Sequence, residues 1–330
     1  MENKNLEIGF LGVGWIGRNR MEAVAKTGIA NITCIADPSI DNIEASKASA
    51  PEADFCSSYD DLLGHQLDGI VIATPSALHA SQSLDAIQSG RAVFCQKPLG
   101  RNTKETAAVV NAAREANLLL GVDFSYRYTC YRLLHNLVQK GELGKIYAIE
   151  MCFHNAYGPD KPWFYDPELS GGGCVIDLGV HLLDLALWTL GNPKVEVLSS
   201  VLFSKGEPLT DPDTKVEDFA TALMQTENGA SMRLSCSWNL PAGKEAEIYF
   251  NVYGSLGGAS FRNINGSFYE FEVARFYGTR TEVLFSGPDE WGGRAIVDWT
   301  SKLAEGSGFD TDIESVVQVA QIMDKIYGRK

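Results

Sequence analysis

The chain has 330 residues, 45% apolar and 21% charged, with a formal net charge of −14; at roughly 150 residues per domain that is room for about two domains. So acidic a chain excludes nucleic acid and anionic membranes as natural partners. The N-terminus "MENKNLEIGFLGVG" is neither a signal peptide nor a membrane span, and no later apolar run is expected to be long enough to cross a bilayer. Seven cysteines, odd in number and without a C-x-x-C pair, argue against a disulfide framework and a structural zinc site. They argue for a reducing compartment, so the expected location is cytoplasmic, and the N-x-S/T triplets at Asn31 and Asn265 read as chance.

Residues 6–11, "LEIGFL", predict a short buried strand leading into Gly12-Val13-Gly14-Trp15-Ile16-Gly17 and a helix to about Lys26. A second strand, 31–37, ends on Asp37, and a polar helix follows from about Asp41. "LDGIVIATP" (67–75) predicts a strand ending in a turn, with the helix "LHASQSLDAIQSG" behind it. "RAVFCQKP" and "NLLLGVDF" predict two more strands around the helix "NTKETAAVVNAAREAN". Alternation with short connections specifies a doubly wound parallel sheet covered by helices on both faces.

G-x-G-x-x-G alone is weak, but here a strand precedes it, a helix follows, and an acidic residue closes the next strand. The first two glycines allow a tight turn and close approach to a pyrophosphate; the third lets the helix pack on the sheet. The helix N-terminus offers free N–H groups and partial positive charge to phosphates. Asp37 would accept from the adenosine ribose hydroxyls and repel a 2′-phosphate, and no arginine follows in "DPSIDN". NAD is therefore expected ahead of NADP.

After Val122 the rhythm changes, giving a dinucleotide-binding domain over 1–122 and a second domain over 123–330. "CYRLLHNLVQKGELGKI" (130–146) predicts a helix closed by glycine; then come long alternating strands such as "IYAIEMCFHNAY", "DFATALMQTE" and "AEIYFNVYG". The result is an α+β domain with a large open, mostly antiparallel sheet. Residues 310–328 predict an amphipathic helix whose packing partner the pattern does not reveal. His65, His135 and His154 have no metal-ligand spacing, and no metal is expected.

"SGGGCVIDLGVH" (170–181) sends three glycines into an apolar helix that stacks Asp177 and His181 on one face at i, i+4. Two readings stay open: a core helix with a hydrogen-bonded histidine, or a helix presenting an acid–base pair. Lys97, in "CQKPLG" at the carboxyl end of the sheet, is equally a surface charge or a group facing a ligand.

Together the glycine fingerprint, "ATPSALHA", "CQKPLG" and "GGGCVIDLGVH" resemble the glucose–fructose oxidoreductase / inositol dehydrogenase / rhizopine-catabolism (Gfo/Idh/MocA) family over essentially the whole chain. The resemblance implies a sugar or polyol substrate and a catalytic set of Lys97, Asp177 and His181. His181 would take the hydroxyl proton, Lys97 would donate to the same oxygen, and Asp177 would orient the imidazole or hold a second hydroxyl. It places Thr74, Pro75, Ser76 and His79 beside the cofactor, with Gln96 and Lys97. Arg127 is expected near the substrate or in a structural salt bridge, and Trp163 as a wall of the sugar pocket or as packing. The family carries Glu where this chain has Gln96, which puts the tuning of Lys97 in doubt. Pairing through the second sheet into a homodimer or homotetramer is also implied, and apolar residues on both faces of its strands agree with that. Competing functions are an NAD-dependent glycosidase and a catalytically silent dinucleotide sensor.

Overall fold

Short apolar runs buried on both faces, such as GIVI at 69–72 and AVFC at 92–95, build the first sheet. The computed structural model describes residues 6–329; residues 1–5, on which the expectation of no leader partly rests, lie outside the described residues. The chain divides into two units. In chain order the first sheet's elements are β1 (Leu6–Leu11), α1 (Trp15–Thr27), β2 (Ala30–Ala36), α2 (Ile40–Ser46), β3 (Asp54–Cys56) and α3 (Tyr59–Leu63). They continue with β4 (Gly69–Ile72), α4 (Ser76–Gln88), β5 (Ala92–Cys95), α5 (Thr103–Ala116) and β6 (Leu120–Val122). All pairings are parallel, in the order β3-β2-β1-β4-β5-β6. The order reverses between β1 and β4, the crevice where ligands of such sheets bind. Strand β3 has only three residues and no periodicity to announce it.

The second unit opens with a 3₁₀ turn (Ser125–Tyr128) and α6 (Tyr131–Gln139), shorter than the expected 130–146 because Gly141, at φ 70°, ends it. Then come β7 (Ile146–Asn155), α7 (Pro167–Ser170), a π-helical turn (Val175–Gly179) and α8 (Val180–Leu190). Strands β8 (Val195–Ser204), β9 (Glu207–Pro208), β10 (Phe219–Thr226), β11 (Ser231–Ser237), β12 (Ala246–Gly254), β13 (Gly257–Asn263), β14 (Glu270–Tyr277) and β15 (Arg280–Pro288) follow. The nine strands run β15-β14-β13-β12-β7-β11-β10-β8-β9, antiparallel except for β7 beside β11. Their alternation buries Met151, Met224, Leu234, Phe250, Phe261 and Phe271, with α6 and α8 packed on the sheet. The largely helical run Pro167–Leu190 corrects the expectation that no run could cross a bilayer. It is long and apolar enough by length and composition, but 78% of its most apolar window is buried inside the protein.

The chain then makes α9 (Arg294–Ala304) and α10 (Ser315–Ile326). The tail helix α10 packs on α8 and β8 of the second unit. Residues Gly292–Glu314, however, belong with the first unit, a return that a single cut at 122/123 does not contain. Its reason is Trp299. This buried indole lies over the sheet, its ring centroid 5.7 Å from that of Phe94. A Cβ at either Gly69 or Gly121 would come within 2.7 Å of the Trp299 ring, so both strand glycines make room for it.

Truncating this indole leaves a cavity over a glycine-thinned sheet. Trp299→Ala is expected to cost about 3–5 kcal/mol of unfolding free energy, measured by urea denaturation against the wild-type chain.

Candidate active site

At the carboxyl end of β1 each fingerprint glycine has its own reason. Gly12 has φ 86°, and a Cβ there would lie 2.7 Å from the Ala73 carbonyl oxygen; a Cβ on Gly17 would lie 2.1 Å from that of Gly12. A Cβ on Gly14 would meet nothing within 4 Å. The protein's own packing therefore fixes the outer two glycines, while the middle one keeps a backbone approach open. Asp37, just past β2, fastens this turn: Oδ2 accepts from the Val13 N–H at 2.8 Å, and Oδ1 accepts from the Ser39 N–H at 2.8 Å and from Asn42. Oδ2, with one donor, keeps capacity for another. Trp15 is exposed at the head of α1 and Ile16 is half-buried beside it.

Around the next loop, Thr74 donates to Gln82 at 2.6 Å, and Pro75 precedes Ser76, the first and buried residue of α4. His79 is buried with Nδ1 and Nε2 each 2.7 Å from a carbonyl oxygen, those of Pro98 and Thr74. Burial pushes its pKa down. Its ring clamps the loop after β4 to the loop after β5, which is how the geometry uses it.

From Ala92 to Gly100 every residue is buried except Lys97. Beneath it Gln96 is spoken for on both ends. Its Nε2 donates to Asp123 Oδ2, and its Oε1 accepts from the Lys97 N–H at 3.2 Å. Asp123, 1% exposed, also accepts from Arg20 Nε at 2.6 Å and from the Ser125 hydroxyl. The amide at 96 is thus matched to a carboxylate. A glutamate there would bring a second negative charge against Asp123, so the departure from the family pattern is compensated locally.

In the second unit the three glycines pack against protein. A Cβ on Gly173 would lie 1.8 Å from the Glu217 carbonyl oxygen, and one on Gly172 would lie 2.2 Å from the Tyr327 hydroxyl. Three consecutive N–H groups then end on one residue: Gly173 on Glu217 Oε2 at 2.9 Å, Cys174 on its carbonyl at 3.1 Å, and Val175 on Oε1 at 2.8 Å. Tyr327 donates to the same Oε1 at 2.9 Å. Glu217, fully buried, caps from afar the helix that begins here. No local spacing signals it, since its partners lie more than forty residues away.

Asp177 sits within the π-helical turn and His181 is the second residue of α8. Such turns are rare and concentrate at functional sites. From Gly171 to Leu187 every residue is buried except these two. Trp238, itself buried, donates from Nε1 to Asp177 Oδ2 at 3.1 Å, and the Tyr126 ring meets the His181 ring edge-on at 5.1 Å. Both aromatic neighbours were invisible in the sequence pattern.

Arg127 makes the structural salt bridge that was one of its two expected roles. It grips the buried Asp184 through Nε (2.7 Å) and Nη2 (2.5 Å), with the Trp188 ring 5.5 Å away. Burial pushes the Asp184 pKa up and Arg127 opposes that. Trp163 stacks on Phe164 at 3.8 Å, and Phe164 and Tyr165 both meet Trp238 edge-on. Trp238 and Tyr165 also line an open cavity of about 920 Å³ together with Phe203, Lys205, Lys215 and Phe219. The aromatic wall and Asp177 therefore share one residue, Trp238.

The pairing at position 96 has a measurable consequence. Gln96→Glu would carry a carboxyl whose folded pKa is raised above the usual value near 4.3 by burial and Asp123. Its penalty is absent below that pH and grows as pH rises toward the folded pKa. Melting temperatures across pH should show the variant near wild type at pH 4 and destabilised by on the order of 3 kcal/mol at pH 8.

Sequence and fold comparisons agree with this layout. The domain model "Oxidoreductase family, NAD-binding Rossmann fold" matches residues 6–124, and "GFO/IDH/MocA C-terminal domain" matches 131–260. An inositol 2-dehydrogenase of Rhodococcus erythropolis is 26% identical, covering 89% of this chain and 90% of its own. KijD10, a 3-ketoreductase from Actinomadura kijaniata solved with NADP, superposes with a TM-score of 0.84 at 20% identity, covering 98% of both chains. A levoglucosan dehydrogenase solved with NADH and levoglucosan gives 0.83 at 22%, also covering 98% of both. With both of its domain models matched, and most of its length between them, the chain belongs to the Gfo/Idh/MocA family of NAD(P)-dependent oxidoreductases.

Proposed function

We propose that this protein is a dehydrogenase that oxidises a secondary hydroxyl of a sugar or polyol, with NAD rather than NADP as acceptor. One observation carries the reading. Lys97, Asp177 and His181 are the polar side chains that reach solvent from two otherwise buried runs, 92–100 and 171–187. Buried segments do not extrude three polar groups for packing alone.

The fingerprint turn fits the cofactor, since Gly14 leaves its approach open and the α1 N-terminus faces phosphates with free N–H groups. Bound there, the nicotinamide supplies the hydride acceptor. His181 takes the hydroxyl proton, Lys97 donates to the oxygen as it gains charge, and Asp177, steadied by Trp238, holds a neighbouring hydroxyl. The Trp163–Phe164–Trp238 wall offers aromatic faces to sugar C–H groups. Asp37 favours NAD by repelling a 2′-phosphate. The relatives' own activities, on inositol and on levoglucosan, support carbohydrate as the substrate class.

Exposed Tyr147, Val201, Leu223 and Val283 on the large sheet support a homodimer or homotetramer. None of the seven cysteines is in a disulfide, which supports a reducing, cytoplasmic setting. The silent-sensor reading drew on Gln96, and its pairing with Asp123 weakens that ground. Accumulation of NADH on a sugar would set a dehydrogenase apart from a glycosidase, which recycles its cofactor.

His181→Asn should lower turnover by about 10²–10⁴-fold while leaving NAD affinity nearly unchanged, read as NADH formation over a panel of sugars and polyols. Full activity in that variant would return His181 to the core-helix reading. Lys97→Ala should also lose turnover, and a double variant little worse than the worse single would place both in one step. Isothermal titration should show NAD binding more tightly than NADP; the reverse order overturns the role of Asp37. Light scattering at micromolar concentration should show an oligomer, and a stable monomer would contradict the assembly.

A further inference from the structure

Away from the glycine turn, the edge of the parallel sheet gathers three metal-ligating side chains that nothing above uses. Strands β2 and β3 pair with Cys34 opposite Asp54 and Ala36 opposite Cys56. Residues two apart on a strand share a face, so both cysteines point to the same side. His65 comes onto that side from the loop after α3. Arg91 braces this loop by donating to the carbonyls of Leu63 (3.0 Å) and His65 (2.9 Å). Cys34 is fully buried, Cys56 is 6% exposed and His65 is half-buried. One donor atom from each lies within 4.8 Å of the other two.

We propose that Cys34, Cys56 and His65 form a binding site for one thiophilic cation of the zinc class. Geometry and chemistry agree on it. A tetrahedral ion with Zn–S near 2.3 Å and Zn–N near 2.0–2.1 Å holds its sulfur and nitrogen ligands about 3.5 Å apart. Cys56 Sγ and His65 Nε2 are 3.5 Å apart. The other ring nitrogen, Nδ1, lies 3.9 Å from Asp54 Oδ2. A carboxylate behind the histidine is the usual outer partner of a zinc-bound imidazole, fixing its tautomer and ring orientation. Three protein ligands leave the fourth position of a tetrahedral ion to a water or another ligand.

Two thiolates and an imidazole select soft or borderline ions over magnesium and calcium, which prefer oxygen ligands. The site would fasten β3, a three-residue edge strand of small intrinsic stability, to β2 just before Asp37. The linear spacing of 34, 56 and 65 matches no zinc motif, which is why no metal was expected from sequence. Parallel pairing assembles the set instead.

Titrating the whole chain with Cd²⁺ tests this, because cadmium–thiolate charge transfer absorbs in the ultraviolet. One equivalent of Cd²⁺ should bind at micromolar concentration, raise the melting temperature, and be displaced by Zn²⁺. Affinity should fall by at least about 100-fold in Cys56→Ser and His65→Asn, and by about 10–100-fold in Asp54→Asn. Cys130→Ser, outside the cluster, should bind as wild type does. His65 and Asp54 reach the surface, so their variants report even where a buried cysteine variant misfolds. Absence of the absorption band in the wild type overturns the site in favour of a simple thiol–imidazole hydrogen bond. Its persistence in both His65→Asn and Cys56→Ser overturns the ligand set.

Discussion

The arrangement of the second unit depends on one carboxylate with no access to water. Glu217 faces the first turn of a helix whose N–H groups would otherwise be orphaned, and it accepts two of them with its oxygens and a third with its own carbonyl. A buried anion is tolerable only when donors surround it. Here two backbone amides, the Tyr327 phenol and the positive end of a helix supply them. Burial still pushes the Glu217 pKa up, and those donors push it back. The glycine run follows from this contact, because any side chain at 173 would collide with residue 217. So does the placement of α10, whose following residue Tyr327 is the third donor. The proposed Asp177–His181 pair thus stands on a helix held in register by a group in the loop before β10.

The first unit solves the same problem with different residues. Asp123 is buried under the loop after β5 and is satisfied by Arg20 from α1, Gln96 and Ser125. Through that one carboxylate, the helix after the glycine turn and the loop carrying Lys97 are mutually fixed. Exchanging Gln96 for glutamate would change the sign of its interaction with Asp123. A neutral amide can donate to Asp123 and accept from the Lys97 backbone at once, whereas a glutamate can only accept. The substitution therefore belongs to a matched network rather than to a decayed site.

What the sequence made legible were features whose physics is local. The glycine fingerprint, Asp37 at the end of its strand, the alternation of strand and helix, and the buried run around Lys97 all depend on neighbours within a turn or a strand. Features made by distant chain segments were not legible. β3 is too short for a period, and the return of Gly292–Glu314 to the first unit shows only in Trp299 meeting Gly69 and Gly121. Glu217, Trp238 and Asp184 acquire their partners from segments more than forty residues away in the chain. Arg127 illustrates the limit well. Its position resembled a site residue, yet its guanidinium is fixed by a carboxylate one helical turn beyond His181. The π-helical turn was equally hidden, since an apolar stretch with i, i+4 polar residues fits either helix type.

These two anchored carboxylates divide the molecule into what must stay rigid and what is free to change. A group that transfers a proton has to be held within a fraction of an ångström, which favours rigid elements with locked neighbours. Asp177 and His181 meet that requirement through Glu217, Trp238 and Tyr126, and Lys97 meets it through its buried flanks. Trp163 and Phe164, by contrast, sit on a short 3₁₀ turn and stack mainly on one another. Changing them reshapes the aromatic wall without touching the helix cap. Trp238 is the exception, because it both lines the cavity and donates to Asp177. Under the proposed function, substrate shape could drift at 163 and 164 while position 238 stays tied to the chemistry.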